Sequence, residues 1–131
     1  MVIDTSAVMA ILMGEPDAAI FAQAISADSV RLMSAATLLE AAIVIEARYG
    51  NAGNEKLDEF IAEAQIVIEP VTRDQITLAR IAFRTYGKGR HRAGLNFGDC
   101  FSYALAKSAQ EPLLYKGNDF MNTDIVASVG P

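Results

Sequence analysis

The chain has 131 residues, enough for one domain of ordinary size; 52% of them are hydrophobic and 21% charged, which favours a buried core over disorder. No apolar run approaches the roughly 20 residues of a membrane span, and the single cysteine, Cys100, excludes an internal disulfide and fits a reducing compartment. A net charge of −5 argues at first against a nucleic-acid partner.

The spacing of apolar residues predicts a strand over 1–4, ending in Asp4, then a helical stretch that stops near Gly14. Asp17 is placed to cap a second helix over 18–27, and residues 30–34 read as a second strand. The strongest helical pattern runs over 35–50 and is expected to end at Gly50, with a turn at 51–54 and an amphipathic helix over 55–65. A third strand follows at 66–71, then a helix over 73–87 closed by Gly87, and a basic, glycine-punctuated loop at 88–94 that carries the only histidine, His91. The last elements are a helix over 97–110, a fourth strand at 112–115, a turn or short helix at 116–123, and a last strand at 124–129. Short apolar strands alternating with helices indicate an α/β fold: a single compact domain over 1–131, with a short parallel β-sheet flanked by helices on both faces. The opening MVIDTS has no room for a basic and apolar leader, so no signal peptide and a cytoplasmic location are expected.

The charge is unevenly distributed. Residues 75–98 contain no acid and five cations, Arg80, Arg84, Lys88, Arg90 and Arg92, which leaves −10 for the rest of the chain. A local basic patch matters more to a polyanion than the overall balance, so Arg84, Lys88, Arg90 and Arg92 are candidate contacts for a polyanion such as a nucleic acid.

Four acids occupy unusual positions, although each has an ordinary explanation. Asp4 and Asp119 follow strands, where open α/β sheets bind ligands, but Asp4 can also cap a helix and Asp119 can belong to a turn. Glu40, in TLLE, fits a capping box with Thr37, yet its helical neighbours include Ile43 and Val44. Asp99, in NFGD, fits the third position after an Asn96 cap, yet it leads into the apolar run FSYALA. A carboxylate facing a core is costly unless it is paired or metal-bound, and no cation adjoins all four. A divalent ion with oxygen ligands, Mg²⁺ or Mn²⁺, answers that cost better than zinc, whose histidine and cysteine ligands are nearly absent. Cys100 reads as a small buried hydrophobe, and Met9 and Met13 as core.

These segments resemble the PIN-domain ribonucleases, and especially the VapC-type toxins of bacterial toxin–antitoxin pairs. MVIDTSA is similar to the family's opening block, Glu40 in SAATLLEAAIV to its helix-borne glutamate, LNFGDCFSYALAK to its third block and PLLYKGNDF to its last. The first and third blocks are specific in combination, whereas the glutamate block alone is weak. The last block departs from the pattern, because many members carry a threonine or aspartate nearer the strand; Asp124 therefore stands as a rival to Asp119 for the fourth acid.

The resemblance implies a metal-dependent endoribonuclease that hydrolyses phosphodiester bonds in RNA and leaves a 5′-phosphate. Asp4 and Asp99 would ligate the metal, and Glu40 and Asp119 would ligate it directly or through water. Ser6 and Asn96 would orient these groups or cap their helices. It also implies a cognate VapB-type antitoxin and a homodimer, with the apolar segments AAIFAQAI and FIAEAQ lining the partner surfaces or packing in the core. Two rivals remain open from the residues alone. An aspartyl-phosphate phosphatase needs D-x-D after the first strand, where this chain has Asp4-Thr5-Ser6. A non-catalytic binding or scaffold protein on the same fold would have no need of all four acids.

Overall fold

The computed structural model describes residues 1–129. Four short strands, β1 (Val2–Ile3), β2 (Leu32–Ser34), β3 (Val67–Glu69) and β4 (Leu113–Leu114), form one sheet in the order β3-β2-β1-β4. Every pairing is parallel, with Val2 opposite both Leu32 and Leu113. The central strands have no polar face because helices cover both sides. Alternation along them divides the core in two. Ile3, Met33 and Leu114 pack with α1 (Thr5–Leu12), α2 (Ala18–Ala27) and α3 (Ala35–Glu63). Val2, Leu32 and Leu113 pack with α4 (Arg73–Tyr86) and α5 (Phe97–Ala109). Phe21 and Ile25 of α2 are buried in the first core, and Phe60 and Ile61 of α3 lean on it, so those two apolar segments are largely occupied within the chain.

Crossovers between parallel strands leave every strand pointing the same way. The chain therefore exits all four at one edge of the sheet. Asp4 follows β1 directly, α3 begins directly after β2, and Asp119 stands in the loop beyond β4. The α4–α5 connection is closed at its base, where the Lys88 amide donates to the Leu95 carbonyl and the Leu95 amide to the Tyr86 carbonyl, both at 2.9 Å. The basic loop 88–94 thus leads straight to the start of α5.

Three local expectations are corrected. Residues 51–54 are helical rather than a turn: α3 continues to Glu63 and bends at Gly50, whose φ of 64° and ψ of −151° depart from the helix. The last strand over 124–129 does not form. That segment makes a single parallel bridge, Leu113 to Ala127, through two backbone hydrogen bonds of 2.9 Å. Thr37 is not a cap either, because α3 starts three residues earlier on Ser34, whose hydroxyl accepts the Ala36 amide.

The backbone region occupied by Gly50 belongs almost wholly to glycine, and no atom lies within 4 Å of where a Cβ would stand. Gly50→Ala should therefore destabilise through backbone strain alone, by about 1–3 kcal/mol. For a chain of this size that lowers the melting temperature by roughly 4–12 °C in a thermal melt followed by circular dichroism, with the native spectrum unchanged.

Candidate active site

Asp4 caps α1 and is only 4% exposed. Burying a carboxylate this deeply requires donors, and three are present. Its Oδ2 accepts the Ser6 amide at 3.1 Å and the Ser6 hydroxyl at 2.7 Å, and its Oδ1 accepts the Ser102 hydroxyl at 2.5 Å. Ser6 Oγ in turn accepts the Lys116 backbone amide at 2.9 Å, which ties the end of β1 to the loop beyond β4. The Ser102 hydroxyl donates its only hydrogen to Asp4, so in the 3.3 Å contact between the two hydroxyls Thr37 is the donor. Thr37, Ser102, Asp4, Ser6 and the Lys116 amide form one continuous polar chain through the middle of the fold.

Glu40 lies in the second turn of α3 and accepts the Thr5 hydroxyl at 2.5 Å. Its carboxylate rests against Gly98 so closely that a Cβ on that residue would overlap it. Glycine at the second position of α5 thus admits the carboxylate to a helix N-terminus, where the helix dipole favours negative charge.

Asp99 completes a reciprocal capping box on α5. The Asn96 side chain accepts the Asp99 amide at 2.9 Å, and Asp99 Oδ2 accepts the Asn96 amide at 3.0 Å. Burial pushes the Asp99 carboxyl up to about 7, against the lowering effect of the Asn96 hydrogen bond, and the charges of Asp4, Asp119 and Glu40 push it the same way. Asp99 therefore feels all three other acids. Asp119 is exposed at the start of the 3₁₀ turn Phe120–Asn122 and caps nothing with its side chain.

Asp124 stands apart. It pairs with Lys107 at 2.7 Å and accepts the Tyr103 hydroxyl at 2.8 Å. Burial raises its carboxyl, but these two partners outweigh it and hold the group below its ordinary value. It does not figure among the charges acting on Asp99. Cys100 is buried, and burial followed by the Asp99 charge pushes its thiol up to about 11, which leaves it neutral. Arg84, Lys88, Arg90 and Arg92 are all exposed, and among the described residues none forms an ion pair.

The donor set suits a hard divalent cation: four carboxylates in one field, none paired with a lysine or arginine among the described residues. The ammonium of Lys116, in the loop beyond β4, pairs with Glu15 and Asp17 instead. Among the described residues no three acids close into a ready-made cage, so the fit rests on donor chemistry and shared charge. Thr5, Thr37, Ser102 and Gly98 were not singled out from the sequence as part of this site. For Ser102 a signal existed: a serine one turn after Asp99, on the same side of an otherwise apolar helix.

The match to the PIN-domain family model extends over residues 1–126. The VapC ribonuclease Mb0640 of Mycobacterium bovis is 56% identical over 131 residues, the full length of both chains. A ribonuclease VapC of Mycolicibacterium smegmatis is also 56% identical, over 97% of this chain and 98% of its own. The crystal structure of Mycobacterium tuberculosis VapC20, a sarcin–ricin loop cleaving toxin, superposes with a TM-score of 0.79 over 99% of this chain and 98% of that one, at 19% identity. The family model covers nearly the whole chain and relatives at 56% identity align with it end to end, which leads to one conclusion: this chain is a PIN-domain protein of the VapC ribonuclease family.

Proposed function

We propose that the chain is a metal-dependent endoribonuclease, the toxin of a toxin–antitoxin pair, acting in the cytoplasm. The observation that carries this reading is geometric: buried Asp4, held by Ser6 and Ser102 at the end of β1, Glu40, resting against Gly98 in the first turn of α5, and Asp99, capping that same turn, come together, and among the described residues neither they nor Asp119 pair with any lysine or arginine. Bound Mg²⁺ or Mn²⁺ would supply the charge that keeps these acids ionised together, polarise the scissile phosphate and acidify water for in-line attack. Asp4, fixed by Ser6 and Ser102, and Asp99, fixed by Asn96, would hold the ion. Glu40 and Asp119 would complete the set, directly or through water. Asp4 already accepts hydrogen bonds on both oxygens, which suits a ligand better than a phosphoryl-accepting nucleophile. Arg84, Lys88, Arg90 and Arg92 supply attraction to a polyanion that the rest of the acidic surface repels.

A cognate VapB-type antitoxin and a second copy of the chain belong to the same reading. Leu39 and Ile43 form an exposed row, 62% and 59% in water, on the helix that carries Glu40. An amphipathic helix with cationic side chains would match both this row and the acids beside it. Light scattering on the free protein tests the homodimer, which should weigh about twice 14.1 kDa.

Three outcomes test the proposal. With antitoxin-free protein and a single-stranded RNA, excess EDTA should abolish cleavage, and Asp99→Asn should lower it roughly 100-fold or more. Ser102→Ala should weaken the binding of Mn²⁺ by roughly 10- to 100-fold, measured calorimetrically, as loss of a group that orients a ligand does. Undiminished cleavage in EDTA would refute the metal mechanism.

The second outcome is a pH dependence. Unfolded, Asp99 releases its proton near its ordinary 3.8; folded, it keeps it to about 7. Between those values the folded state holds a proton that the unfolded state has lost, so metal-free stability should fall as pH rises through this window. Asp99→Asn should raise the metal-free melting temperature at pH 7–8 and leave it nearly unchanged at pH 4, and Mg²⁺ should stabilise the unaltered chain chiefly at the higher pH.

The third concerns the loop. Arg90→Ala with Arg92→Ala should reduce the salt slope of single-stranded RNA binding by roughly 0.7 for each phosphate that is no longer neutralised, while metal binding stays unchanged. A wild-type slope would show that the loop is merely solvated.

A further inference from the structure

Lys116 is the cation nearest in the chain to Asp119, three positions before it. It follows β4 at the edge of the sheet where Asp4 follows β1. Its backbone amide donates to Ser6 Oγ at 2.9 Å, and the Ser6 hydroxyl donates to Asp4 Oδ2 at 2.7 Å. The main chain of Lys116 is thus two hydrogen bonds from a buried carboxylate of the candidate site, a distance that an ammonium on a flexible four-carbon stem can span. Four carboxylates without a cation attract such a charge, and an ammonium lodged among them would repel a metal ion.

The ammonium lies elsewhere. It pairs with Glu15 and, at 3.2 Å, with Asp17, both in the turn between α1 and α2. Asp17 stands at the N-cap position of α2, yet its side chain makes no cap hydrogen bond. An aspartate there ordinarily accepts an amide of the first turn; here the carboxylate turns to the lysine instead. The Glu15 and Asp17 side chains are only 30% and 32% exposed, so salt screens their hold less than it would that of a fully solvated pair. Lys116 does not figure among the charges that chiefly act on Asp99, whereas Asp119, three residues further on, does.

We propose that Glu15 and Asp17 are positioning residues: by engaging Lys116 they keep its ammonium out of the four-acid site and leave that site free for a divalent cation. This rests on the metal-dependent reading above. Without the two carboxylates, the acids of the site become the nearest counter-charge for the lysine. The fraction of molecules open to metal then falls, and the apparent affinity falls with it. A simpler role for the triad is a tether between the α1–α2 turn and the loop beyond β4. The two roles differ in one respect. A tether is lost from either side alike, whereas a competitor disappears only when the lysine itself is removed.

The test measures Mn²⁺ binding by calorimetry on the full, antitoxin-free chain. Glu15→Gln with Asp17→Asn should weaken binding roughly 2- to 30-fold, the worth of two partly exposed ion pairs. Lys116→Met keeps the backbone amide that Ser6 accepts, and alone it should leave the affinity within about twofold. Added to the acid variant, it should restore the affinity to that level. If the acids merely contributed negative charge at a distance, removing the lysine would strengthen binding equally in both backgrounds, so non-additivity is the decisive quantity. Melts in EDTA followed by circular dichroism show that each protein folds, and each single acid variant should show part of the same non-additivity. Additive effects overturn the proposal. So does a Lys116→Met protein that binds Mn²⁺ as poorly as the acid variant, the mark of a tether. If the unaltered chain binds no Mn²⁺, the metal-dependent reading itself fails; if it binds Mn²⁺ and the acid variant binds equally well, only the retention of Lys116 does.

Discussion

Asp4 is a carboxylate almost entirely removed from water, and the fold is organised around keeping it there. Its three donors come from the first turn of α1 and from α5, and they are themselves held by the loop beyond β4 and by α3: Lys116 through Ser6, Thr37 through Ser102. Distant parts of the chain thus converge on one side chain. An unsatisfied buried carboxylate costs far more than a single hydrogen bond contributes, so slippage of any of these elements exposes the whole assembly to that penalty. The same hydrogen bonds hold Asp4 in place beside Asp99, and its charge adds to the reluctance of that neighbour to ionise.

Asp99 serves two purposes that usually exclude one another. A carboxylate in the first helical turn stabilises the helix through its cap and through the dipole. Here the cap is formed in full, yet burial and three like charges raise the cost of ionisation above what the cap returns. An ordinary surface cap would pull the carboxyl in the opposite direction. The helix start is thus locally consistent and globally strained, the condition expected of a functional position and in keeping with the role proposed for Asp99.

Much of this was legible in the sequence. The apolar strands and the helical periodicity give the layered α/β arrangement, and four acids at strand ends and helix starts give the candidate site. The Asn96–Asp99 box could be read from its spacing alone. What could not be read depends on contacts between distant residues or on a choice of backbone that one residue type serves equally well. Ser102 lies 98 positions from Asp4, and nothing local announces their hydrogen bond. Gly50 suits a helix end and a helix bend alike, and the outcome was set by the apolar face of 55–63, which packs back onto the first core. Asp124 stood in the sequence as a rival to Asp119, and nothing local announced that the fold would bring Lys107 and Tyr103 to it. Thr37 fitted a capping box by spacing, but Ser34 at the end of β2 started the helix earlier and freed the threonine to face Ser102.

Gly98 has a consequence for anyone who maps this protein by saturation mutagenesis. The position has no functional group, yet the Glu40 carboxylate occupies the space where any side chain would begin. Every replacement, alanine included, should displace the Glu40 carboxylate, so under the proposed mechanism any loss of activity there would be nearly uniform across residue types. At an acid such as Asp99, replacements should differ by degree with their size and charge. A flat profile beside graded ones would separate a space that the proposed chemistry needs from a group proposed to perform it, and ranking positions by severity alone would mistake the first for the second.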